Sequence, residues 1–127
     1  MEIERLNALM FGAEAHRDCE GLPWDEFLGH VLADDFALRR SAASKPLEDR
    51  ETFLEATRDA EPVERTIVQG SLRVWESGTV GAVSSVVELE GRSEQFTNTR
   101  VFTAGGRYGW LCDFWQVTAV QTDSPQQ

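Results

Sequence analysis

The sequence is poor in the residues that usually hold metals or form covalent cross-links. Its two cysteines, Cys19 and Cys112, lie far apart and have no CxxC spacing, so they predict a reduced protein more readily than a structural disulfide. The two histidines, His16 and His30, have no close acidic cluster beside them. Because a metal site needs several ligands close together, the sequence predicts no metal. It also carries no motif that indicates a cofactor.

The chain also lacks a long apolar run. None approaches the roughly 20 residues that a membrane-spanning helix needs. The first residues, Met1 to Arg5, have neither the basic start nor the apolar core of a signal peptide. We therefore expect a cytoplasmic protein with no membrane partner.

Basic residues are the third shortage. The 12 lysines and arginines are outnumbered by 22 aspartates and glutamates, which leaves a formal net charge of −10. Nucleic acid binding depends on clustered positive charge, so we expect no nucleic acid partner. The acidic surface favours solubility, and a basic partner surface is the alternative. The 127 residues suffice for one domain with its own core.

Helical periodicity dominates the first half of the chain. Apolar residues recur three and four positions apart over residues 2–20 and 24–33, which is typical of amphipathic helices. A third segment of this kind begins at a proline and covers residues 46–58. Residues 34–40 are predicted to be a short extended piece, and residues 41–45 a polar loop.

The second half is predicted to form a sheet, because β-branched and aromatic residues become frequent after Pro62. Four strands are predicted, at about 64–76, 79–89, 93–103 and 108–120, separated by glycine-containing turns. Short connections make neighbouring strands antiparallel. We expect an α+β fold in which three helices cover a curved antiparallel sheet and leave a conical cavity. This single domain spans residues 1–120, and residues 121–127 form a polar tail.

The last two strands form a hairpin around Gly105-Gly106. A two-residue turn predicts the cross-strand pairs Arg100 with Leu111, Asn98 with Asp113, and Phe96 with Trp115. One face then holds polar groups inside an aromatic rim, which suits a small-molecule pocket. The alternative for this face is a solvated ion pair between Arg100 and Asp113. The opposite face is apolar with threonines, and it suits packing against helices or against another subunit.

The hairpin resembles the closing hairpin of the nuclear transport factor 2-like superfamily. The resemblance is nearest to the SnoaL-like and uncharacterised small-domain branches, and to the association domain of calcium/calmodulin-dependent protein kinase II. It spans about residues 3–120 and rests on five segments: Leu32–Phe36, Leu47–Leu54, Gly78–Val83, Thr99–Phe102 and Trp110–Thr118.

This resemblance implies a cystatin-like cone whose pocket receives the side chain of Arg100, and a homodimer joined through the sheets. This sequence departs from the family's pattern in two places. The turn is one residue longer than usual, which predicts a bulge and makes the register less certain. Val117 stands where the kinase association domain has a basic residue, so carboxylate binding by an arginine cluster is not carried over.

The candidate ligand-binding residues are Asn98, Arg100 and Trp115 in the pocket and Arg50 near its mouth. An arginine on a solvated helix surface is the alternative for Arg50. Relatives of ketosteroid isomerase use pocket carboxylates, so the resemblance also suggests Asp113 as a general base. His16 or Tyr108 would then be the proton donor.

Three functions follow from these residues. The first is a domain of unknown reaction that binds a small molecule in a conical pocket. The second is an isomerase, dehydratase or cyclase that uses a pocket carboxylate as its base. The third is a dimerisation or assembly module whose own aromatic side chains fill the pocket. The residues leave open whether the protein is an enzyme.

Overall fold

The structure, a computed structural model, describes residues 1–40 and 46–120. The predicted loop 41–45 and tail 121–127 lie outside the described residues. The helices are α1 (Ile3–Glu14), α2 (Trp24–Val31) and α3 (Arg50–Asp59). The strands are β1 (Leu32–Arg40), β2 (Glu48–Asp49), β3 (Arg65–Ile67), β4 (Arg73–Ser77), β5 (Val80–Leu89), β6 (Gln95–Ala104) and β7 (Trp110–Ala119). None of these helices is long and apolar enough to cross a membrane.

The strands form one mixed sheet, and the predicted α+β fold class is confirmed. Its order is β2-β1-β7-β6-β5-β3, and β4 also pairs with β5. The predicted antiparallel succession holds for β5, β6 and β7. The extended piece predicted at 34–40 belongs to β1, which pairs in parallel with β7. Parallel pairing is sterically allowed there because most of the chain lies between these two strands.

All three helices are shorter than the apolar periodicity predicts, and α2 ends at Val31 rather than near residue 33. Helix α1 ends at Glu14, and His16 soon after it has a left-handed backbone with φ of 63°. Helix α3 begins at Arg50 rather than at Pro46, because the Asp49 carboxylate accepts a hydrogen bond from the Thr52 amide at 2.8 Å. This N-cap satisfies one of the amides that the first helical turn leaves unpaired.

The strand predicted at 64–76 is interrupted. Its two parts, β3 and β4, each pair antiparallel with a different half of β5. Between them, Gly70 has φ of 82°, a backbone conformation that suits glycine and ends the first part. Strands β3 and β4 both pair with β5, and together they form the edge of the sheet on that side.

The register of the closing hairpin differs from the predicted one. The connection is longer than two residues, because Ala104 pairs with Trp110. A bulge at Asp113 then shifts the pairing, so that Arg100 lies opposite Trp115 and Asn98 opposite Val117. The three predicted pairs, Arg100 with Leu111, Asn98 with Asp113 and Phe96 with Trp115, are therefore wrong, whereas the predicted bulge is present.

The helices cover one face of the sheet and build the core with it. Alternate residues of β6 are buried on this face, namely Asn98, Arg100 and Phe102. The facing helices contribute fully buried apolar side chains, including Leu6 and Met10 from α1. Cys112 is also buried on the helix side, where the predicted register placed it on the opposite face.

Candidate functional site

A cavity of about 260 Å³ lies between α1, α3 and the sheet. Its aromatic walls are Phe11, Phe53, Phe96 and Trp115. Its polar lining residues are Glu14, Arg40, Thr57, Glu61, Arg65 and Asn98. Residues three or four apart share one helix face, so α1 contributes Phe11 with Glu14, and α3 contributes Phe53 with Thr57. The site is thus an aromatic chamber with a few polar groups.

Asn98 and Trp115 form a hydrogen-bonded unit on the sheet side of the cavity. The Trp115 indole Nε1 donates to Asn98 Oδ1 at 2.8 Å. The amide Nδ2 of Asn98 has a longer contact, 3.4 Å, with the carbonyl oxygen of Phe96. Because an amide nitrogen carries two hydrogens, Asn98 can still donate a hydrogen bond to a bound molecule.

Arg100 lies in the core behind the cavity wall. It is fully buried, and its guanidinium lies 4.1 Å from the ring centres of both Phe11 and Trp115. Nη1 donates to the backbone and side-chain oxygens of Asn7, both at 3.1 Å, and Nη2 donates to Glu14 Oε1 at 2.5 Å. Stacking between aromatic faces stabilises a desolvated guanidinium. Arg100 therefore shapes the cavity from behind.

Glu14 is the buried carboxylate of the cavity, and its Oε2 atom lies 3.4 Å from Arg65 Nε. Burial raises the pKa of Glu14 above its usual value, and the attraction of Arg100 and Arg65 opposes this only in part. Burial also lowers the pKa of Arg100. Both directions reflect the cost of removing charge from water.

Two arginines lie nearer the mouth of the cavity. Arg40 Nε donates to Glu48 Oε2 at 2.6 Å, so that guanidinium has a carboxylate partner outside the cavity. Arg65 Nη1 donates to the carbonyl oxygen of Val63 at 2.6 Å. Glu61 lies exposed at the cavity edge.

Besides Arg100, three predicted site residues lie outside the cavity lining. The Asp113 carboxylate accepts a hydrogen bond from Thr103 at 2.6 Å. It cannot reach the cavity from there, because Thr103 is on the sheet face away from the helices. His16 stacks on Trp24, with ring centres 4.2 Å apart. Arg50 binds Glu51 and donates to the Gly29 carbonyl oxygen at 2.9 Å.

Tyr108, the other suggested proton donor, also lies outside the cavity lining. Its ring packs against Phe27 of α2, with ring centres 5.3 Å apart. Within residues 1–40 and 46–120, no group of three histidine, cysteine, aspartate or glutamate side chains is arranged to hold a metal ion.

No family model matches this chain, and no curated protein does. Several solved structures, however, resemble its fold. The hub of calcium/calmodulin-dependent protein kinase II from S. rosetta superposes with a TM-score of 0.76 at 13% identity, over 93% of this chain and 94% of the hub chain. A nuclear transport factor 2-like protein of unknown function from Pseudomonas putida has a TM-score of 0.72 at 14% identity, over 98% and 89% of the two chains.

The chain adopts the nuclear transport factor 2-like fold. A ketosteroid isomerase-like protein from Parabacteroides distasonis shares it, with a TM-score of 0.68 at 9% identity over 94% of this chain and 89% of that one. Identities this low show the fold alone. Within the nuclear transport factor 2-like fold of this chain, the cavity is the space between the helices and the sheet.

Sequence reasoning missed Glu14 and Arg65. A signal for Glu14 was present, because Ile3, Asn7, Met10 and Glu14 follow one another at spacings of four and three. Polar residues at two positions of an otherwise apolar helical stripe indicate buried hydrogen bonds. Arg65 carried no such signal, since only the sheet pairing of β3 brings it to the cavity.

Proposed function

We propose that this protein binds a small, partly apolar molecule in the cavity beside Trp115 and Asn98. The observation that carries the proposal is the cavity itself: four aromatic rings surround about 260 Å³ that the chain's own side chains leave unfilled. Pockets for drug-sized ligands measure roughly 300–1,000 Å³. The size therefore favours a compact ligand with a single ring or a short branched chain.

The geometry supports binding more strongly than catalysis. Asp113, the predicted base, is hydrogen-bonded to Thr103 outside the cavity. Glu14 is the buried carboxylate that lines the cavity, but one of its oxygens is hydrogen-bonded to Arg100 and the other faces Arg65. Both oxygens of Glu14 therefore already face a guanidinium rather than a bound molecule.

We further propose that two copies of the chain associate through the sheet face away from the helices. The paired residues Trp75, Ala82, Val101 and Phe114 form an apolar row across four strands of this face. Trp75 at its end is 56% exposed. An exposed apolar patch of this kind is typical of an interface. The similarity to a kinase hub supports association without specifying its geometry.

A variant that plugs the cavity mouth tests the binding proposal. Ala56 is exposed and lines the cavity, so Ala56→Trp can fill the opening without disturbing the core. Glu55→Trp, at the next exposed position of α3, is the matched control. A library of small aromatic and branched fragments is screened by NMR, with the Trp115 indole N–H as the reporter.

We expect some fragments of the library to bind and to shift the Trp115 indole signal, both in the wild type and in Glu55→Trp. Their affinity should be lower by tenfold or more in Ala56→Trp. Fragments that bind Ala56→Trp as well as the wild type would place their site elsewhere. A screen in which no fragment moves the Trp115 signal would refute the proposed function.

A further inference from the structure

The charged side chains around the cavity balance one another. The lining contains two carboxylates and two arginines, namely Glu14, Glu61, Arg40 and Arg65. Arg40 is paired with Glu48 at 2.6 Å, and Glu14 lies between Arg65 and the buried Arg100. Each of these guanidinium groups therefore already has a carboxylate beside it. Because burying a further charge without a counter-charge is costly, the lining favours an uncharged ligand.

Asn98 supplies a hydrogen-bond donor to the cavity that the protein itself does not use fully. It lines the cavity and is only 5% exposed. Its Nδ2 atom carries two hydrogens, and its contact with the Phe96 carbonyl oxygen, at 3.4 Å, is long for a hydrogen bond. At least one of the two hydrogens thus has no acceptor among residues 1–40 and 46–120. When an apolar ligand displaces water from this donor, the loss costs free energy unless the ligand supplies an acceptor.

The orientation of the Asn98 amide is fixed by Trp115. The indole Nε1 atom can only donate a hydrogen bond, so the Asn98 atom that lies 2.8 Å from it must be the oxygen. Turning the amide over would bring two donors face to face and leave both unpaired. The amide nitrogen is therefore the part of Asn98 that remains for a ligand.

We propose that the bound molecule is uncharged and presents a hydrogen-bond acceptor, such as a carbonyl oxygen, to Nδ2 of Asn98, while its apolar body lies among the aromatic rings. This inference rests on the proposed function, since it names the class of ligand for the same cavity. Asn98 determines specificity here, because it distinguishes an acceptor from a hydrocarbon or a donor of equal size. Trp115 acts as a positioning residue that keeps the amide in its donating orientation.

The test compares four probes of equal size. Acetophenone has an acceptor, α-methylstyrene replaces that oxygen by a methylene group, indole can only donate, and benzoate is charged. Each is titrated into the whole chain and followed by NMR at the Trp115 indole N–H and at the Asn98 side-chain amide. We expect acetophenone to bind at least tenfold more tightly than each of the others, because it alone pairs the amide without bringing in a charge. One Asn98 amide proton should move downfield with acetophenone only.

Asn98→Leu removes the donor and nearly keeps the size of the side chain. This variant should bind acetophenone and α-methylstyrene within about twofold of each other, since neither then gains a hydrogen bond. Continued binding of α-methylstyrene shows that its cavity is intact. Thr97→Val is the matched control, because Thr97 is the preceding residue of β6 and lies on the opposite face of the sheet. It should keep the wild-type preference for acetophenone.

Trp115→Phe tests the positioning role. The variant keeps an aromatic ring but lacks the N–H group that holds Asn98 Oδ1. The amide can then turn its oxygen towards a donor, so the probe indole should bind within about threefold of acetophenone. A purely structural role of Trp115 would lower both affinities by the same factor and leave their ratio unchanged. The Asn98 amide signals report binding in this variant.

Each other outcome separates the two proposals. Equal affinities of acetophenone and α-methylstyrene in the wild type, or a preference that survives Asn98→Leu, would overturn this inference and leave the cavity as a binding site. Tighter binding of benzoate than of acetophenone would overturn the uncharged ligand. If no probe binds, this inference fails, and the fragment screen alone decides the proposed function.

Discussion

A buried arginine needs a counter-charge and partners for its donors, and Arg100 obtains them from α1. Asn7 and Glu14 of that helix accept three of its hydrogen bonds, and Phe11 covers one face of the guanidinium. Trp115 covers the other face from the sheet. Because Trp115 also lines the cavity, the arrangement of the core and that of the site depend on the same side chain.

Replacing Arg100 tests how strongly the core depends on its contact with Glu14 of α1. Arg100→Met should lower the free energy of unfolding by about 3–5 kcal/mol, because it leaves Glu14 without its closest cation. Urea denaturation at neutral pH measures the loss. In a double-mutant cycle, Glu14→Gln should cost less in the Arg100→Met background than in the wild type. Strictly additive costs would contradict a direct coupling between the two side chains.

The ionisation of Glu14 sets a pH dependence with a defined sign. Its pKa is raised in the folded protein, chiefly by burial. Its contribution to stability is therefore complete below the usual glutamate pKa and is lost as the pH rises through the raised value. The stability of the wild type relative to Glu14→Gln should fall as the pH increases over that window. Urea denaturation at a series of pH values measures this difference, and a rise instead would mean that the arginines outweigh burial.

At the scale of elements, the closing hairpin shows how a turn and a bulge together decide which side chains meet. The long connection ends at Gly109, whose carbonyl oxygen accepts a hydrogen bond from the Gly105 amide at 3.0 Å. The bulge at Asp113 then restores the alternation, so that Trp115 faces the helices. Without that extra residue Trp115 would lie on the other face, since a shift of one residue inverts a strand.

Gly106 is the position in this turn where a side chain is least tolerable. Its φ is 73°, and an added Cβ would approach Leu111 Cδ2 to 2.7 Å. We expect Gly106→Ala to destabilise the protein by about 1–2 kcal/mol, the usual penalty for a left-handed backbone. Gly12→Ala is the control. It lies within α1 with no neighbour inside 4 Å, and should stabilise by about 0.5–1 kcal/mol. Thermal denaturation followed by circular dichroism compares both, and equal effects would contradict this role of the turn.

At the scale of the whole molecule, the two faces of the sheet differ in what covers them. The face under the helices closes the core and the cavity, and the other face carries the apolar row that ends at Trp75. Strand β4 is exposed along its whole length. A second copy on this face would cover surface that a monomer leaves in water, which is the physical basis of the proposed dimer.

A charge in the middle of the apolar row tests the dimer. The wild type should have twice the chain mass at micromolar concentration in size-exclusion chromatography with light scattering. Val101→Lys should have the mass of one chain, because burying an unpaired ammonium at an interface is costly. Glu55→Lys, at an exposed position of α3, should remain a dimer. A wild type that elutes as a monomer would contradict the proposal.

Much of the fold could be read from local patterns. Helical spacing located α1 and α2, although α1 ends at Glu14 rather than near residue 20, and alternation located β5, β6 and β7. Among the predicted site residues, Asn98 and Trp115 line the cavity, and Arg100 lies directly behind it. Local patterns could not show that β1 pairs in parallel with β7, because nothing in either strand specifies so distant a partner.

The sequence by itself determined where the chain is helical and where it is extended, because side-chain periodicity and glycine turns act over a few residues. Only the tertiary structure decided which polar groups share the interior. Arg100 and Glu14 are 86 residues apart in the chain, and Asp113, close in sequence to the cavity residue Trp115, lies outside the cavity. Burial explains the first result, because a desolvated guanidinium needs a counter-charge beside it. The bulge explains the second, because Asp113 is the extra residue of β7 and its carboxylate is hydrogen-bonded by Thr103.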